Sequence, residues 1–310
     1  MQNILVTGGA GFIGSNLINE LLKSNKKRVF VFDNLSTGKL ENLSLDHPLL
    51  KFFNIELLSD YKDWPILEDL SYIYHFSANA DVRGGAEDRE IDFKQNIIVT
   101  KSVCDYAKSM NCRHLVFSSS ATVYGEPEIF PTPESSILRQ TSIYGASKLA
   151  GEACIQAYSE YSDFRSSIFR FVSWIGFRYS HGVIYDFYKK LTLNPKELKI
   201  LGDGNQRKSF LDVTDGVNGI LSLTNHNNST ETFNLGHDEI MNITQLARIV
   251  CDYLKLKNTK FTYTGSNRGW VGDSPLVHLD ISKAKSYGWA PKVSIKEGII
   301  NTLDYLTVNK

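Results

Sequence analysis

The chain has 310 residues, of which 42% are hydrophobic and 22% are charged, a composition typical of a globular protein with a substantial core. Its 34 basic and 34 acidic residues cancel, so it lacks the positive excess of nucleic-acid-binding proteins. The four cysteines form no metal-type pair, no apolar run is long enough to span a bilayer, and the N terminus has no signal-peptide pattern. We therefore expect a cytoplasmic protein with no nucleic-acid partner, no membrane partner and no metal.

The N-terminal half of the chain alternates short apolar strands with helices. Strands are predicted at 4–6, 28–33, 51–54, 72–76, 114–117 and 167–171. Helices are predicted at 12–22, 91–109 and 144–161. This order predicts an α/β fold with a doubly wound parallel sheet and helices on both faces.

Beyond residue 174 the alternation loosens, and short strands mix with helices such as 244–256. We therefore predict a first domain at 1–173 and a smaller C-terminal α/β domain at 174–310 that covers the substrate. Strands near 210 and 233 are expected to return to the main sheet.

A glycine-rich turn separates the first predicted strand from the first predicted helix. Gly8 permits the tight turn, Gly11 lets the backbone approach a pyrophosphate, and Gly14 lets the helix pack close to the sheet. The helix N terminus then presents N–H groups and its positive dipole end to the phosphates. Asp33 follows about 20 residues later, where it would bind the adenine-ribose hydroxyls and repel a 2′-phosphate. This pattern predicts a Rossmann-type domain at 1–173 that binds NAD rather than NADP.

A candidate proton-transfer group lies on the predicted helix 144–161. Tyr144 and Lys148 are four residues apart, so they lie on the same helix face. We expect the ammonium group of Lys148 to stabilise the phenolate and lower the pKa of Tyr144 from its reference of about 10. Tyr144 would then act as a general base, and Ser120, at the tip of a strand, would hold the substrate oxygen. With the glycine turn, these residues predict hydride transfer between an alcohol carbon and a nicotinamide.

Six segments together carry a family resemblance, namely 7–14, 33–38, 118–125, 144–148, 202–204 and 268–273. Over essentially its whole length the chain resembles the extended short-chain dehydrogenases/reductases, and within them the NAD-dependent nucleotide-sugar epimerases of the UDP-glucose 4-epimerase type. The resemblance implies that Tyr144 is the base, that Lys148 holds the nicotinamide ribose and that Ser120 is the hydroxyl partner. The partner molecule it implies is a nucleoside-diphosphate sugar.

The same resemblance implies two sets of binding residues. The NAD set comprises Gly8, Gly11, Phe12, Ile13, Gly14, Asp33, Asn34, Ser36, Thr37, Gly38, Asn54, Ile55, Phe76, Ser77, Ala78, Asn96, Ser118, Tyr144 and Lys148. The substrate set comprises Ser120, Ser173, His181, Arg207, Arg268 and Asp273, of which Arg268 and Asp273 would meet the diphosphate and the nucleoside ribose.

The chain also departs from its relatives around the sugar pocket. Dehydratases of this family carry an acid pair after the catalytic hydroxyl, where this chain has Ala121 and Thr122, so 4,6-dehydration is not expected. Epimerase-reductases that work at C3 and C5 use a cysteine near Thr122, and it is absent. Relatives usually place an asparagine where this chain has Ser173, followed here by Trp174, and an arginine–aspartate pair where it has Arg207-Lys208-Ser209. The nucleobase therefore stays open, and either Arg207 or Lys208 would face a phosphate.

Three functions remain open from the sequence. The favoured one is a 4-epimerase, in which C4 is oxidised, the 4-keto sugar rotates, and hydride returns to its other face. The alternative is a C4 dehydrogenase that releases the 4-keto sugar, for example from a GDP-heptose in surface polysaccharide biosynthesis, because Ser173 and Trp174 would hold the sugar in one pose. A non-catalytic NAD(H)-binding regulator is less favoured, because such proteins typically lose the tyrosine or the lysine.

Some side chains remain ambiguous. His75 is expected to have a structural role, whereas His181 either lines the sugar pocket or does not take part. Arg83 reaches the substrate or lies in a surface loop. Relatives commonly dimerise through the helices at 91–109 and 144–161, so we expect a homodimer.

Overall fold

The computed structural model describes residues 1–82, 84–226, 228–270 and 272–308, and the chain divides into two compact units. The first unit comprises Met1–Val123, Ile143–Arg170 and Ile220–Phe233, and the second comprises Tyr124–Ser142, Phe171–Gly219 and Asn234–Lys310. The division is less simple than one boundary after residue 173, because the chain passes from one unit to the other several times. Arg83, a predicted candidate for a substrate contact, lies outside the described residues.

The first part of the chain alternates strands and helices as predicted. Its elements are β1 (Gln2–Thr7), α1 (Phe12–Leu22), β2 (Lys27–Asp33), β3 (Leu50–Asn54), β4 (Leu70–His75), α2 (Gly84–Glu87), α3 (Arg89–Asp92), α4 (Val99–Ser109), β5 (His114–Ser120), α5 (Ile143–Tyr161) and β6 (Arg165–Phe171). Short 3₁₀ turns occur at Leu40–Asn42, Tyr61–Asp63 and Ala121–Tyr124. A π-helical stretch, Phe93–Ile98, joins α3 to α4, a rare geometry that is frequent at functional sites.

The later elements are shorter. They are β7 (Ser173–Ile175), α6 (Val183–Leu193), β8 (Glu197–Ile200), β9 (Arg207–Lys208), β10 (Phe210–Asp212), α7 (Val213–Leu223), β11 (Thr230–Leu235), β12 (Met241–Asn242), α8 (Ile243–Tyr253), β13 (Lys260–Tyr263), β14 (Leu276–Val277), α9 (Ser282–Ser286) and α10 (Ile295–Val308). The start of α8 is fixed by a capping box, in which the Asn242 side chain accepts from Gln245 N at 2.7 Å and Gln245 Oε1 accepts from Asn242 N at 3.0 Å.

Within the described residues the main sheet has seven strands, in the order β11-β6-β5-β4-β1-β2-β3. The pairs β1–β2, β1–β4, β2–β3 and β4–β5 are parallel. Chain order runs outward in both directions from the β1–β4 pair, which makes that pair the topological switch point. In such sheets the ligand site lies beyond the carboxyl ends of the strands at this point. The predicted doubly wound α/β fold is confirmed.

A core of buried apolar residues from β1, β2, β4, β5, α4 and α5 supports the sheet. Phe32 lies at its centre, with its ring edge-on to Phe53 at 5.6 Å and to Trp64 at 6.1 Å between centroids. Tyr106 closes the cluster, and its hydroxyl donates to the Pro65 carbonyl at 2.6 Å. Edge-to-face contacts of this kind stabilise a core beyond simple area burial.

The second unit contains small sheets. The described residues form a β7–β10 pair, a β8–β13 pair and a three-stranded sheet, β12-β9-β14. The expectation that the strand near 210 joins the main sheet is corrected. That strand is β10, which pairs in parallel with β7 so that Leu211 lies opposite Trp174, and both side chains are buried. The strand near 233 is β11, at the edge of the main sheet.

Among the described residues, no helix combines the length and the apolar character needed to cross a membrane.

Candidate active site

The glycine turn connects β1 to α1 at the switch point of the sheet. Gly8 has a φ of 67°, a conformation that favours glycine, and a Cβ there would lie 2.7 Å from the backbone nitrogen of Ser77. A Cβ on Gly14 would collide with the carbonyl oxygen of Gly8. The turn therefore forms a cradle that excludes side chains. α1 begins at Phe12 with no side-chain cap and no acidic residue in its first turn, which suits its N terminus to phosphate oxygens.

Asp33 ends β2 and ties the glycine turn to the next loop. Its Oδ2 accepts from the backbone N–H of Ala10 at 2.9 Å, and its Oδ1 accepts from that of Leu35 at 2.8 Å. Each carboxylate oxygen has a further lone pair with which to accept a ribose hydroxyl. The buried carboxylate is thus held in place by the backbone of the glycine turn and by that of the loop after β2.

The other residues predicted to line the adenosine follow β2 and β3. Asn34 is half-buried; its Oδ1 accepts from Ser36 N at 3.0 Å and its Nδ2 donates to Glu56 at 2.9 Å. Gly38 packs against Ala10 and Asp33. The remaining members of this set are exposed or half-buried, namely Ser36, Thr37, Asn54 and Ile55.

A buried histidine fixes the end of β4. His75 Nδ1 lies 2.7 Å from Thr7 Oγ1, and its Nε2 lies 3.0 Å from Thr100 Oγ1. Burial lowers the pKa of His75 to about 3, so the ring is neutral and has the structural role expected of it. The half-buried residues that follow it are Phe76, Ser77 and Ala78, all predicted to pass beside the cofactor.

The predicted cofactor residue Asn96 belongs to a buried polar cluster. Its Oδ1 accepts from Asn79 N at 2.8 Å, and its Nδ2 lies 3.2 Å from Asp92 Oδ1 and 2.8 Å from Ser147 Oγ. The cluster links the segment after β4, the π-helical stretch and α5. Ser118 lies nearby on β5, where its hydroxyl donates to the His75 carbonyl at 3.3 Å.

The three predicted catalytic side chains lie at the end of β5 and in the first two turns of α5. The hydroxyl group of Tyr144 hydrogen-bonds with the Ser120 side chain, and Ser120 Oγ also accepts from Thr122 Oγ1 at 3.0 Å. Lys148 lies one turn further along α5 and is only 2% exposed. Its Nζ is 4.5 Å from the centroid of the Phe117 ring, a cation–π geometry.

The charge state of this group differs from the prediction. Burial, and after it the charge of Asp92, raise the pKa of Tyr144 to about 12, against the lowering effect of the hydrogen bond with Ser120. Burial lowers the pKa of Lys148 to about 7, although Glu152 and Asp92 oppose this shift. The expectation that Lys148 lowers the Tyr144 pKa is therefore wrong for the protein alone, because withdrawal from water dominates for both groups. Tyr144 is protonated at neutral pH.

In the second unit, successive side chains of β7 point to opposite sides of the strand, which bears on the predicted roles of Ser173 and Trp174. Ser173 is exposed, as a substrate contact requires. Trp174 points to the opposite side, is 5% exposed, and packs against Phe171 with 4.5 Å between ring centroids. The idea that this indole holds the sugar is thus corrected, since it forms part of the core of its unit. His181 is exposed, and its ring is parallel to that of Tyr179 at 6.4 Å.

The remaining predicted substrate residues lie around β9 and the loop before β14. Lys208 Nζ is 2.7 Å from Asp273 Oδ1, and Asp273 Oδ2 accepts from Gly269 N at 2.9 Å. Arg268 forms an ion pair with Glu126 at 2.5 Å, and both side chains are 39% exposed. Arg207, next to Lys208, is exposed. Lys208 and Arg268 are thus each engaged with an acid, and the Arg268–Glu126 pair is the more exposed of the two.

Several polar residues of the first unit were not predicted from the sequence, namely the half-buried Asn79 and the buried Asp92, Ser147, Glu152 and Arg170. A signal existed for two of them. Asp92 precedes Asn96 by four residues and Glu152 follows Lys148 by four, so each shares a helix face with a predicted functional residue.

These features together fit a dinucleotide. The glycine cradle and the N terminus of α1 suit a pyrophosphate, and the carboxylate of Asp33 suits a ribose. The segment 76–78 continues to Asn79, which bonds the Asn96 that contacts Ser147 on α5. The fold and the Ser120–Tyr144–Lys148 group define a protein of the short-chain dehydrogenase/reductase class.

Comparison with known proteins identifies the group within that class. The family model for the NAD dependent epimerase/dehydratase family matches residues 4–236. A putative UDP-glucose 4-epimerase of Methanocaldococcus jannaschii is 31% identical over 312 residues, covering 99% of each chain. UDP-glucuronic acid decarboxylase 3 of Arabidopsis thaliana is 30% identical over 96% of this chain and 87% of its own. The crystal structure of a mutant UDP-glucuronic acid 4-epimerase from Bacillus cereus, in complex with UDP-4-deoxy-4-fluoro-glucuronic acid and NAD, has a TM-score of 0.91 at 27% identity and covers 100% of both chains.

The chain belongs to the NAD-dependent epimerase/dehydratase family. It is an NAD-dependent enzyme of that family, as the glycine turn and the catalytic group predict.

Proposed function

We propose that the protein is a nucleotide-sugar 4-epimerase that acts on a UDP-sugar. The observation that carries the proposal is the Ser120–Tyr144 hydrogen bond, with Lys148 one turn away. It lies at the carboxyl ends of the strands of the sheet that also bears the glycine cradle. The nucleotide is taken from relatives, since the M. jannaschii and B. cereus proteins are named for UDP-sugars.

The chain's own residues manage the proton. The phenolate form of Tyr144, which a nearby positive charge favours, takes the proton of the sugar C4 hydroxyl at Oη and later returns it, while Ser120 Oγ holds the same oxygen by a hydrogen bond. Bound NAD supplies reversible hydride exchange at C4. Lys148 binds the ribose next to the nicotinamide and offers positive charge to the phenolate. Between the two proton transfers the 4-keto sugar presents its other face, which inverts C4.

We assign the nucleoside diphosphate to residues of the second unit. Arg268 and Arg207 supply exposed guanidinium groups for the diphosphate, a geometry that favours bidentate contacts. Asp273 accepts from the backbone N–H of Gly269 and binds the nucleoside ribose. Ser173 and His181 are exposed and serve as contacts to the sugar.

Particular residues argue against two rival reactions, oxidation to a released 4-keto sugar and 4,6-dehydration. Ser173 and Trp174 together favoured a dehydrogenase that holds the sugar in one pose, and Trp174 is buried in the core. Dehydration at C4 and C6 lacks its acid pair, because those positions hold Ala121 and Thr122, and the Thr122 hydroxyl donates to Ser120. A UDP-glucuronic acid decarboxylase is 30% identical to the chain, so the substrates tested include UDP-glucuronic acid.

The test is to incubate the purified protein with UDP-glucose, UDP-N-acetylglucosamine, UDP-glucuronic acid and GDP- and dTDP-sugars, and to follow the products by NMR. A C4-inverted sugar without net NADH is expected. Accumulated 4-keto sugar with stoichiometric NADH would establish a dehydrogenase instead, and a UDP-pentose with released carbon dioxide would establish a decarboxylase.

The matched variant is Tyr144→Phe, which removes only the hydroxyl group. Turnover should be lost while NAD binding, followed by calorimetry, is retained. Tyr161, exposed at the end of the same helix, supplies the control variant Tyr161→Phe, which should leave both unchanged. Undiminished turnover in Tyr144→Phe would refute the assigned base.

We also propose a cytoplasmic homodimer formed through α5 and the helical segment 89–109. The first unit exposes several apolar side chains on these helices, namely Ile91, Phe93, Ile98 and Ile143. Light scattering is expected to give twice the mass of the chain, and Phe93→Asp should shift the protein to the mass of a monomer.

A further inference from the structure

The carboxylate of Asp92, where α3 meets the π-helical stretch, is buried and has no role in the proposed proton transfers. Its Oδ1 accepts from Asn79 Nδ2 at 2.8 Å and from Asn96 Nδ2 at 3.2 Å. Its Oδ2 has no hydrogen-bond partner among the described residues, and the side chain is fully buried. A buried acid with an unsatisfied oxygen destabilises the fold, which favours a functional reason for it.

A chain of hydrogen bonds connects this carboxylate to the catalytic helix. Asn96 Nδ2 donates to Ser147 Oγ at 2.8 Å, and Ser147 Oγ donates to the Tyr144 carbonyl at 2.8 Å. Ser147 lies between Tyr144 and Lys148 on α5. These hydrogen bonds connect Asn79, in the segment after β4, to the turn of α5 that carries Tyr144.

Asp92 also acts on the catalytic pair through its charge. It raises the pKa of Tyr144 and opposes the lowering of the Lys148 pKa by burial. Among the side chains that the structure describes, Asp81 in the segment after β4 also acts on Asp92, and Glu152 on α5 also acts on Lys148. His75 also faces Lys148 but is neutral, so it adds no charge at working pH.

We infer that Asp92 is a positioning residue that holds Asn79 and Asn96 against α5 and sets the protonation of the Lys148–Tyr144 pair. Its effect on turnover rests on the proposed epimerase function. Its effect on protonation belongs to the protein alone and is measured separately.

The first test measures Lys148 directly, without substrate or cofactor. Protein with carbon-13-labelled lysine is titrated by NMR, and Lys148→Met identifies the signal. Asp92→Asn keeps the size of the side chain and an acceptor oxygen for Asn79 and Asn96 while removing the charge. The Lys148 pKa is expected to fall by at least about half a unit.

The matched control is Glu90→Gln, which removes a negative charge from the exposed side of the same short helix and should leave the Lys148 pKa unchanged. An unchanged Lys148 pKa in Asp92→Asn would overturn the inference. If Asp92→Asn does not melt cooperatively, Asp92→Ser removes the same charge with a smaller side chain and carries the same expectation.

The second test is the pH profile of kcat/KM. The reaction needs Tyr144 deprotonated and Lys148 protonated, so their pKa values set the two limbs of the profile. Because loss of the Asp92 charge lowers both pKa values, it should move both limbs to lower pH. A merely structural loss would reduce the height without moving the limbs. If the wild-type protein turns over no nucleotide sugar but Asp92→Asn still lowers the Lys148 pKa, the epimerase proposal fails and the inference on protonation stands.

Discussion

The carboxylate of Glu152 and the guanidinium of Arg170 form a buried bidentate ion pair between α5 and β6. Arg170 Nε is 3.0 Å from Glu152 Oε1, and Nη2 is 2.8 Å from Oε2. The hydroxyl group of Ser119 also donates to Glu152 Oε1. The ion pair therefore fixes the helix of Tyr144 and Lys148 to β6, and the Ser119 hydrogen bond fixes it to β5, the strand that ends at Ser120.

Breaking this ion pair should destabilise the protein strongly. Arg170→Met leaves the Glu152 carboxylate buried without its cation, and such a loss costs about 3 to 5 kcal/mol of unfolding free energy. The double variant Glu152→Gln/Arg170→Met should recover part of that loss, because no uncompensated charge remains. Urea denaturation measures both.

The comparison pair is Lys190–Asp186, an exposed pair at 2.7 Å on α6. Lys190→Met should cost under about 1 kcal/mol, as exposed pairs do. An Arg170→Met variant as stable as Lys190→Met would show that the buried pair contributes no more than a surface one.

Lys148 is expected to lower the stability of the free protein, which is the cost of a catalytic charge placed beside Phe117. Its pKa falls from the ordinary lysine value to about 7 on folding, so the folded state holds fewer protons than the unfolded state between about pH 7 and 10.5. Wild-type stability therefore rises with pH across this window.

The variant Lys148→Met should consequently be more stable than the wild type below pH 7, by a few kcal/mol in order of magnitude, and this advantage should vanish as the pH approaches about 10.5. Melting temperatures of both proteins across the pH range measure it. A Lys148→Met protein that is less stable at every pH would contradict the expectation, and so would an advantage independent of pH.

The Tyr144 pKa should depend on the redox state of the bound cofactor. In the free protein burial holds it at about 12, and a positive charge close to the phenol lowers such a value. Because the oxidised nicotinamide is positively charged and the reduced form is neutral, NAD should lower the pKa more than NADH does. The tyrosinate absorbance, corrected by subtracting the Tyr144→Phe protein, follows this titration. Equal pKa values with NAD and NADH would refute the expectation.

The parts of the site that could be predicted from the sequence are those encoded by local spacing. Gly8 and Gly14 belong to one turn, and Asp33 ends the next strand along the chain. Their spacing in the sequence therefore predicts their positions in the structure. Tyr144 and Lys148 likewise follow from helical periodicity.

What the sequence could not reveal depends on tertiary packing. Asn79 and Asp92 are 13 residues apart and meet only once the segment after β4 folds onto α3. The direction of Trp174 was decided by the pairing of β7 with β10, which no local pattern specifies. The Tyr144 pKa was predicted from one neighbouring cation, whereas the burial of both groups outweighs it.

The ion pair between Arg268 and Glu126 should compete with the substrate diphosphate. Their side chains are 2.5 Å apart and equally exposed, so Glu126 occupies the guanidinium that we assign to a phosphate. Glu126→Gln should tighten the binding of UDP by up to about fivefold, because an exposed pair contributes at most about 1 kcal/mol. Calorimetry with UDP measures the change, and Glu128→Gln, which alters an exposed acid two residues away, should leave the affinity unchanged. If Glu126→Gln instead weakens binding, Glu126 orients Arg268 for the phosphate rather than competing with it.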